Sequence, residues 1–243
     1  MELHGRTALV TGAGHRVGRA IALALGGKGM RVAVHYNAAA EDAQETVRLI
    51  GNAGGEAQAI GGDLTDPRVP SSLIAEVVSR FGALDVLVNS AAVMVRTPFG
   101  EVTPEQWDHI MALNMRAPFF LAQAAAPHLR AAKGVVVNIA DLAAFETWPA
   151  YLPHGISKSG VVHLTRSLAR VMAPDVRVAA IAPGTVLLPE KWDESDRERL
   201  RKTTPLARTG APDDVSKTVL FILDSDYLTG ETIIVDGGRH VRN

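Results

Sequence analysis

The 243-residue chain contains no cysteine, which excludes disulfide bonds and thiolate chemistry and fits a reducing compartment. It has no excess of charge: 25 basic and 26 acidic residues leave a formal net charge of −1. With no basic stripe either, we expect no nucleic-acid partner. Long hydrophobic runs are also missing, because the longest, 117–127, is interrupted by Gln123 and is too short to span a bilayer. The first six residues contain no apolar signal core, so we expect a cytoplasmic protein with no membrane partner.

Apolar residues are abundant: they make up 47% of the chain, against 21% charged residues, which is enough to bury a sizeable hydrophobic core. Strand-like and helix-like segments alternate, and the strand-like ones are almost continuous apolar runs, as in a parallel sheet covered on both faces. The predicted strands are 7–11, 31–36, 57–61, 84–89, 134–139, 177–181 and 232–235. The predicted helices are 17–27, 39–53, 70–81, 104–129, 154–172 and 212–223. The alternation predicts a single doubly wound α/β domain of Rossmann type over 1–243, with about seven parallel strands and helices on both faces.

A glycine-rich turn containing Gly12, Gly14 and Gly18 separates the first predicted strand from the first helix. Glycines let the backbone approach a diphosphate, and a helix N-terminus supplies unpaired N–H groups and a positive dipole end. The turn does not follow G-x-G-x-x-G, because position 17 is Val, and an ordinary tight strand–helix turn is the alternative. The candidate cofactor-binding residues of this turn are Gly12, His15, Arg16, Val17 and Gly18.

Polar and small residues fall at the carboxyl ends of later strands, where such folds bind dinucleotides. Asp63 is placed to accept a hydrogen bond from an adenine amino group, although capping a turn with Thr65 is the alternative. The charged segment 187–204 interrupts the alternation and is predicted to form a substrate lid over the same edge. Further candidate cofactor-binding residues are Leu64, Asn89, Ser90, Ala91, Pro183, Gly184 and Val186.

Three more residues complete a pattern: Asn114 within a helix, Asp141 after the fifth strand, and Lys158 on the next helix. With the glycine turn, they resemble the short-chain dehydrogenase/reductase family over essentially the whole chain. That family carries a T-G-x-x-x-G-x-G turn, an N-N-A-G run, a helix Asn, a Ser, a Y-x-x-x-K pair and a P-G. Here Arg16 replaces the middle Gly and Asp141 the Ser. These two residues and the run His35-Tyr36-Asn37 resemble the pteridine-reductase branch, which implies that the run also contacts the cofactor.

Two positions depart from the family. His154 stands four residues before Lys158, where the family has its catalytic Tyr. Met94 stands where the branch places an aromatic residue against a pterin. The resulting candidates are catalytic Asn114, Asp141, His154 and Lys158, and substrate-pocket Met94, Phe99 and Tyr151. The resemblance implies that Lys158 also binds the cofactor.

The His154–Lys158 spacing places both side chains on one helix face. Reduction of a carbonyl or imine needs a hydride from the cofactor and a proton from a nearby acid. The Lys158 ammonium disfavours a protonated imidazole, whereas a nearby Asp141 carboxylate favours it, so contact with Asp141 makes His154 an oriented proton donor. Without that contact, a bridging water is the alternative. Tyr151 is a second possible donor, but Pro153 opposes a continuous helix there, and we expect Tyr151 in the pocket wall.

The cofactor preference follows from charge. NAD-selective sites usually place a carboxylate after the second strand, and here no acid occurs before Glu41. Arg16 and His15 lie within reach of a 2′-phosphate, which a guanidinium binds well. NADP(H) is therefore favoured over NAD(H). The histidines show no metal-ligand spacing with nearby acids, so no metal site is expected.

The leading hypothesis is an NADP(H)-dependent short-chain oxidoreductase that transfers a hydride to a small carbonyl or pterin-like C=N substrate. The alternative is a non-catalytic NADP(H)-binding module, a sensor or an assembly subunit, because the active-site Tyr is replaced by His. The resemblance also implies a homo-oligomer, commonly a tetramer, paired through helices 104–129 and 154–172. Their apolar stripes allow this pairing: Ala117, Phe120, Leu121 and Ala124, and Val161, Leu164 and Leu168.

Overall fold

The computed structural model describes residues 1–186 and 193–241. Its strands are β1 Thr7–Val10, β2 Arg31–Tyr36, β3 Glu56–Gly61, β4 Val86–Asn89, β5 Val135–Ile139, β6 Arg177–Pro183 and β7 Thr232–Val235. They form one parallel sheet in the order β3-β2-β1-β4-β5-β6-β7. The predicted single α/β domain of Rossmann type with seven parallel strands is therefore confirmed.

Helices cover both faces of this sheet. They are α1 Arg16–Gly26, α2 Ala40–Asn52, α3 Val69–Phe81, α4 Pro104–Met111, α5 Ala117–Ala132, α6 Leu152–Met172, α7 Glu194–Thr203 and α8 Pro212–Asp224. One core packs α1, α2 and α8 against one face, around Ile21, Ile50 and Val219. The other packs α3, α5 and α6 against the opposite face, around Leu73 and Leu121. Within the described ranges, no helix is long and apolar enough to cross a membrane.

The order of strands opens a crevice beside β1, which pairs with β2 on one side and β4 on the other. The chain leaves β1 toward α1 and β2, and later returns to β4 on the other flank. Because the connections diverge there, the carboxyl edge of the sheet opens into a ligand-binding crevice at this switch point.

The predicted helix 104–129 is interrupted, which corrects that boundary. A capping box between Thr103 and Gln106 starts α4, and a π-helical turn, Ala112–Arg116, separates it from α5. The N–H of Ala117 bonds to the carbonyl of Ala112, five residues back. Pro118 has no N–H for the carbonyl four residues before it, which favours the wider turn. Asn114 therefore lies in a π turn rather than in a regular helix.

The apolar stripes predicted for subunit pairing mostly face inward. Leu121, Leu164 and Leu168 pack in the core against the sheet, so they are not free to meet a partner. Phe120 of the predicted stripe is exposed, and its ring makes an edge-to-face contact at 5.2 Å with the exposed Phe119. Of the predicted lid 187–204, residues 194–203 form α7, capped by Asp193, whereas 187–192 lie outside the described residues.

Candidate active site

A cavity of about 1170 Å³ follows the carboxyl edge of the sheet from the glycine turn to α6. Most of the predicted site residues line it, so the fold brings together segments that are far apart in sequence. They are Gly12, His15, Arg16, Val17, Gly18, His35, Tyr36, Asn37, Asp63, Leu64, Ser90, Ala91, Met94, Asp141, Tyr151, His154, Lys158, Pro183, Gly184 and Val186.

The glycine turn is held by Thr11 at the end of β1. Its hydroxyl oxygen accepts hydrogen bonds from the N–H groups of Ser90 (2.9 Å) and Ala91 (3.0 Å), which joins the turns after β1 and β4. Gly12 has a φ of +65°, and a Cβ there would lie 2.9 Å from the Cα of Ala91. A Cβ on Gly18 would lie 2.2 Å from the carbonyl oxygen of Gly12. Close backbone packing thus requires glycine at both positions.

His35 is part of this framework rather than a free cation. Its Nδ1 accepts from the N–H of Gly12 (3.3 Å), and its Nε2 lies 3.0 Å from the carbonyl oxygen of Gly62. This pairing fits a neutral ring protonated on Nε2. Burial lowers the pKa of His35 to about 4, and the bond to Gly62 only partly opposes that effect. His35 therefore lines the cavity as a neutral brace between the glycine turn and the end of β3.

The N-terminus of α1 has the features of an anion site. His15 stands at its N-cap without a side-chain capping bond to the described residues, and the first turn contains no acidic residue. Arg16 follows with a φ of +54°, in the left-handed region that favours glycine. Its guanidinium is exposed and has no hydrogen-bond or ion-pair partner within 1–186 and 193–241. The neighbouring Arg19, by contrast, is bound to Asp42.

Asp63 serves the turn after β3 and also lines the cavity. Its Oδ1 accepts from the N–H (2.9 Å) and the hydroxyl (2.7 Å) of Thr65, and these bonds lower its pKa. The turn-capping alternative is thus observed, and the exposed carboxylate remains beside the cavity.

His154, Asp141 and Lys158 form a charged cluster at the end of β5. The Nε2 of His154 lies 3.6 Å from Oδ2 of Asp141, an ion-pair distance when the ring is protonated. The other oxygen of Asp141 accepts from the N–H of Ala143, which fixes the carboxylate. The Lys158 ammonium donates to the carbonyl of Ile139 at 2.8 Å. Burial lowers the pKa of Lys158 to about 8, and the charge of Asp141 opposes that effect.

Asn114 orients this cluster from behind the cavity. Its Oδ1 accepts from the N–H of Val93 (2.8 Å), and its Nδ2 donates to the Val93 carbonyl (2.9 Å) and to the Ser157 hydroxyl (3.1 Å). With both amide hydrogens so placed, Nδ1 of His154 is left to donate to the Val93 carbonyl at 3.2 Å. His154 Nε2 is buried and has no hydrogen-bond partner among the described residues.

The structure does not bring Asn89 or Phe99 to the cavity. Asn89 is buried below the sheet edge, where it donates to Asn138 at 2.8 Å, because its side chain points into the layer beneath α6. Phe99 is 85% exposed on the loop before α4 and does not belong to the cavity wall.

Two residues at the reaction end carried no role in the sequence patterns. Trp148 packs edge-to-face on Tyr151 at 6.4 Å between ring centroids, and Tyr151 precedes α6 as expected from Pro153. Arg239, beyond β7, enters the same cavity and donates to the hydroxyl of Thr185 at 3.1 Å. The pair Gly237-Gly238, which turns the chain back before Arg239, was the available signal. No cluster of three potential metal ligands occurs among the described residues.

The chain is similar in sequence and structure to known reductases and dehydrogenases. The sequence model of the family described as Enoyl-(Acyl carrier protein) reductase matches residues 12–240. The 3-oxoacyl-[acyl-carrier-protein] reductase FabG of Staphylococcus aureus is 34% identical, over 97% of this chain and 98% of its own. The 3beta-hydroxysteroid dehydrogenase 1 of Eggerthella lenta is also 34% identical, over 98% of this chain and 94% of its own. The structure of a short-chain dehydrogenase/reductase from Serratia marcescens superimposes with a TM-score of 0.92 at 29% identity, covering 99% of this chain and 100% of that one.

Proposed function

Because the chain belongs to the short-chain dehydrogenase/reductase family of oxidoreductases, we propose that it reduces a small carbonyl compound with NADPH and that His154 donates the proton. The observation that carries this proposal is the buried Nε2 of His154, a residue of the cavity wall. This atom lies beside Asp141 without a hydrogen-bond partner in the described chain. An acceptor atom of the substrate would complete that pairing.

The residues present fit a nicotinamide dinucleotide. The uncapped N-terminus of α1 suits its diphosphate, and the unpaired guanidinium of Arg16 suits a 2′-phosphate. The Lys158 ammonium has three donors and spends one on Ile139, which leaves two for ribose hydroxyls. When bound, NADPH supplies a hydride to the carbonyl carbon, and the net reaction turns a carbonyl compound, NADPH and a proton into an alcohol and NADP⁺.

His154 performs the proton transfer in this proposal. In its protonated form, Nδ1–H donates to the Val93 carbonyl, while Nε2–H faces the cavity and Asp141. The proton passes from Nε2 to the oxygen that becomes the alcohol hydroxyl, and solvent then reprotonates the ring. Asp141 stabilises the charged ring and Asn114 holds its orientation, so both are positioning residues.

The names of the relatives support carbonyl chemistry, since one is a reductase of a 3-oxoacyl group and another a dehydrogenase of a hydroxysteroid. A pterin-like C=N substrate is the second candidate. Its support is the pteridine-reductase-like combination of Arg16 and Asp141, both of which line the cavity. Met94, 48% exposed on the cavity wall, would there take the place of a ring-stacking aromatic residue.

The test is the initial rate of NADPH oxidation against ketones, aldehydes, quinones and dihydropterins, from about pH 5 to 9, for the parent and His154→Tyr. If His154 is the acid, H154Y should change the pH dependence of turnover, because a phenol then replaces the imidazole as the proton donor. A fall near pH 8 that persists in H154Y belongs to Lys158 instead.

A non-catalytic NADP(H)-binding module is the function of another class, favoured by a histidine at the family's tyrosine position. It predicts a parent that binds NADPH, measured by calorimetry, but reduces no member of the panel. Gain of turnover by H154Y would then establish a binding module on a reductase scaffold, whereas robust parental turnover excludes it.

We also propose that the protein is a homotetramer. The support is the exposed pair Phe119 and Phe120 on α5, an apolar patch that a second copy would cover. Light scattering should give about four times the 25.8 kDa chain mass, and Phe120→Asp should lower that mass, because it places a charge in the contact. A monomeric parent would refute the proposal.

A further inference from the structure

Unpaired donors mark the places where a folded protein leaves bonds for a ligand. Among the described residues, four buried side-chain atoms lack a hydrogen-bond partner: Asn89 Oδ1, His154 Nε2, Thr232 Oγ1 and Arg239 Nε. Only two of them belong to residues of the large cavity, His154 and Arg239. The wall at the reaction end of the cavity therefore contains two unpaired nitrogen atoms, one on the proposed acid and one on a guanidinium.

The turn that carries Arg239 is built to hold it there. Gly237 and Gly238 have φ values of +69° and +86°, which bend the chain back over the edge of β6 and β7. The Asp236 carboxylate, almost fully buried, accepts from the N–H groups of Gly238 (2.8 Å) and His240 (2.6 Å). These bonds fix the backbone on both sides of Arg239, so the folded turn determines where this residue lies.

The surroundings of Arg239 leave its charge only partly balanced. One terminal nitrogen donates to Thr185, and the side chain is 19% exposed. Among the described residues, the nearest carboxylate oxygen is on Glu146, 4.0 Å from Nε, which is too long for a hydrogen bond, and that oxygen already accepts from Trp148 at 3.0 Å. A guanidinium has five N–H donors, and one hydrogen bond to Thr185 leaves others for a ligand of this cavity.

From these contacts we propose that Arg239 binds the carboxylate of the substrate and that the substrate is an oxo acid, whose carbonyl oxygen meets His154. A guanidinium matches a carboxylate in charge and in the two-pronged geometry of its donors. This inference rests on the proposed reductase function and adds the substrate class to it. Glu146 is then a competing partner that weakens the anion site when no substrate is bound.

The first experiment compares pyruvate, acetoacetate and levulinate with their methyl esters as substrates of the NADPH-loaded enzyme. The three acids differ in the spacing between carbonyl and carboxylate, so the series also measures the depth of the site. For the preferred spacing, we expect the acid to have a higher kcat/KM than its ester. Arg239→Gln should lower the acid-to-ester ratio of kcat/KM about 10- to 100-fold, mainly through KM, as expected for a lost bond to a charged group.

Three variants separate recognition from structure. R239K keeps the positive charge but loses the two parallel N–H donors of the guanidinium, so it should retain part of the preference for the acid. Glu146→Gln removes the competing carboxylate and should lower the KM of the acid. Arg48→Gln, which removes an exposed arginine of α2 that pairs with Glu45, is the matched control and should leave the ratio unchanged. A ratio that R239Q does not move, or an ester preferred by the parent, would overturn the proposal.

A binding measurement separates this inference from the proposed function. Calorimetric titration of the NADP⁺-loaded protein with levulinate and with its methyl ester reports recognition without turnover. If no carbonyl compound is reduced, but the acid binds and R239Q weakens it, the reductase function fails and the anion site stands. If the esters are reduced, but neither the titration nor the rates depend on Arg239, the anion site fails and the reductase function stands.

Discussion

The two ends of the cavity differ in whether their polar atoms are hydrogen-bonded within the protein. At the glycine turn, the Thr11 hydroxyl, the Gly12 N–H and both ring nitrogens of His35 are paired within the protein. At the reaction end, His154 Nε2 and Arg239 Nε are buried and unpaired in the described chain. The glycine-turn end is thus a hydrogen-bonded scaffold that offers backbone groups to a ligand. The reaction end instead has side-chain nitrogen atoms that a ligand can pair.

This difference teaches where substitutions should damage folding and where they should damage chemistry. A substitution that removes one partner of a buried hydrogen bond leaves the other partner desolvated and unpaired, so it should lower the free energy of unfolding. A buried donor that is unpaired before the ligand arrives does not stabilise the fold, so its removal should leave the stability unchanged or raise it, and the loss should appear in the kinetics.

The largest effect should come from Gly18→Ala. The new Cβ would lie 2.2 Å from the carbonyl oxygen of Gly12, so the turn must open, and NADPH binding measured by calorimetry should be lost together with a lower Tm. The control is Gly51→Ala in α2, where a Cβ meets nothing within 4 Å and helix propensity should raise the stability by about 1 kcal/mol. Normal NADPH affinity in G18A would show that the turn is not a tight scaffold.

The next effect should be confined to chemistry. His154→Phe removes the proposed acid, and kcat should fall by about 10²- to 10⁴-fold while NADPH affinity and Tm change little. The matched control is His163→Phe, an exposed position further along α6, which should not change kcat. A large loss of stability in H154F, without a specific loss of turnover, would make His154 a structural residue and erase the contrast between the two ends.

The paired end should instead produce a pH-dependent stability. The pKa of His35 is lowered by burial to about 4, whereas in the unfolded chain it is that of a free histidine. Between these values the unfolded chain holds a proton that the folded one lacks, so stability is complete above about pH 6.5 and falls toward pH 4, by up to about 3 kcal/mol.

Urea unfolding at several pH values checks this, with His35→Gln as the non-titrating reference. The difference in slope between parent and H35Q isolates the contribution of His35 from the other histidines. Equal slopes in parent and H35Q would mean that His35 is not held neutral in the fold.

Two threonines give a smaller, matched test. Thr11→Val removes a hydroxyl oxygen that accepts two backbone N–H groups, and we expect a loss of about 1 to 3 kcal/mol in the free energy of unfolding. Thr232→Val removes a buried hydroxyl oxygen without a partner among the described residues, so it should be neutral or stabilising. Equal effects of T11V and T232V in urea unfolding would contradict the difference drawn between paired and unpaired atoms.

The fold was predictable from the sequence to a large extent, because the inner strands are continuous apolar runs that are buried on both faces. The strand segments 7–11 and 84–89 illustrate this, as both lie at the centre of the observed sheet. The break in helix 104–129 was not predicted from periodicity, since the extra residue of a π turn shifts the phase of the apolar pattern without ending it. It depends on Pro118 and on the bonds that Asn114 makes to Val93.

For the site, the sequence identified which residues meet but not how they are paired. Residue type alone could not show that His35 is a neutral brace, because its tautomer is set by the backbone of Gly12 and Gly62. Asn89 fits a strand-end pattern, yet it faces Asn138 within the layer under α6. Arg239 was missed, since only the conformation of two glycines brings it into the cavity.

The smallest predicted effect lies at Arg16, whose side chain, unlike the paired groups of the glycine turn, has no partner among the described residues. Its backbone adopts a φ of +54°, which costs an L-residue about 1 to 2 kcal/mol, while its guanidinium is free for a 2′-phosphate. Arg16→Gly should therefore raise the Tm and, at the same time, lower the preference for NADPH over NADH about 10-fold. Arg16→Ala keeps the strained backbone and should lose the preference without the gain in Tm. Lys133→Gly relieves a φ of +49° at the end of α5, away from the cavity, and should raise the Tm with no change in cofactor preference. If R16G and R16A retain the preference for NADPH, another residue must recognise the 2′-phosphate, and the strained backbone at Arg16 would have no role in cofactor selection.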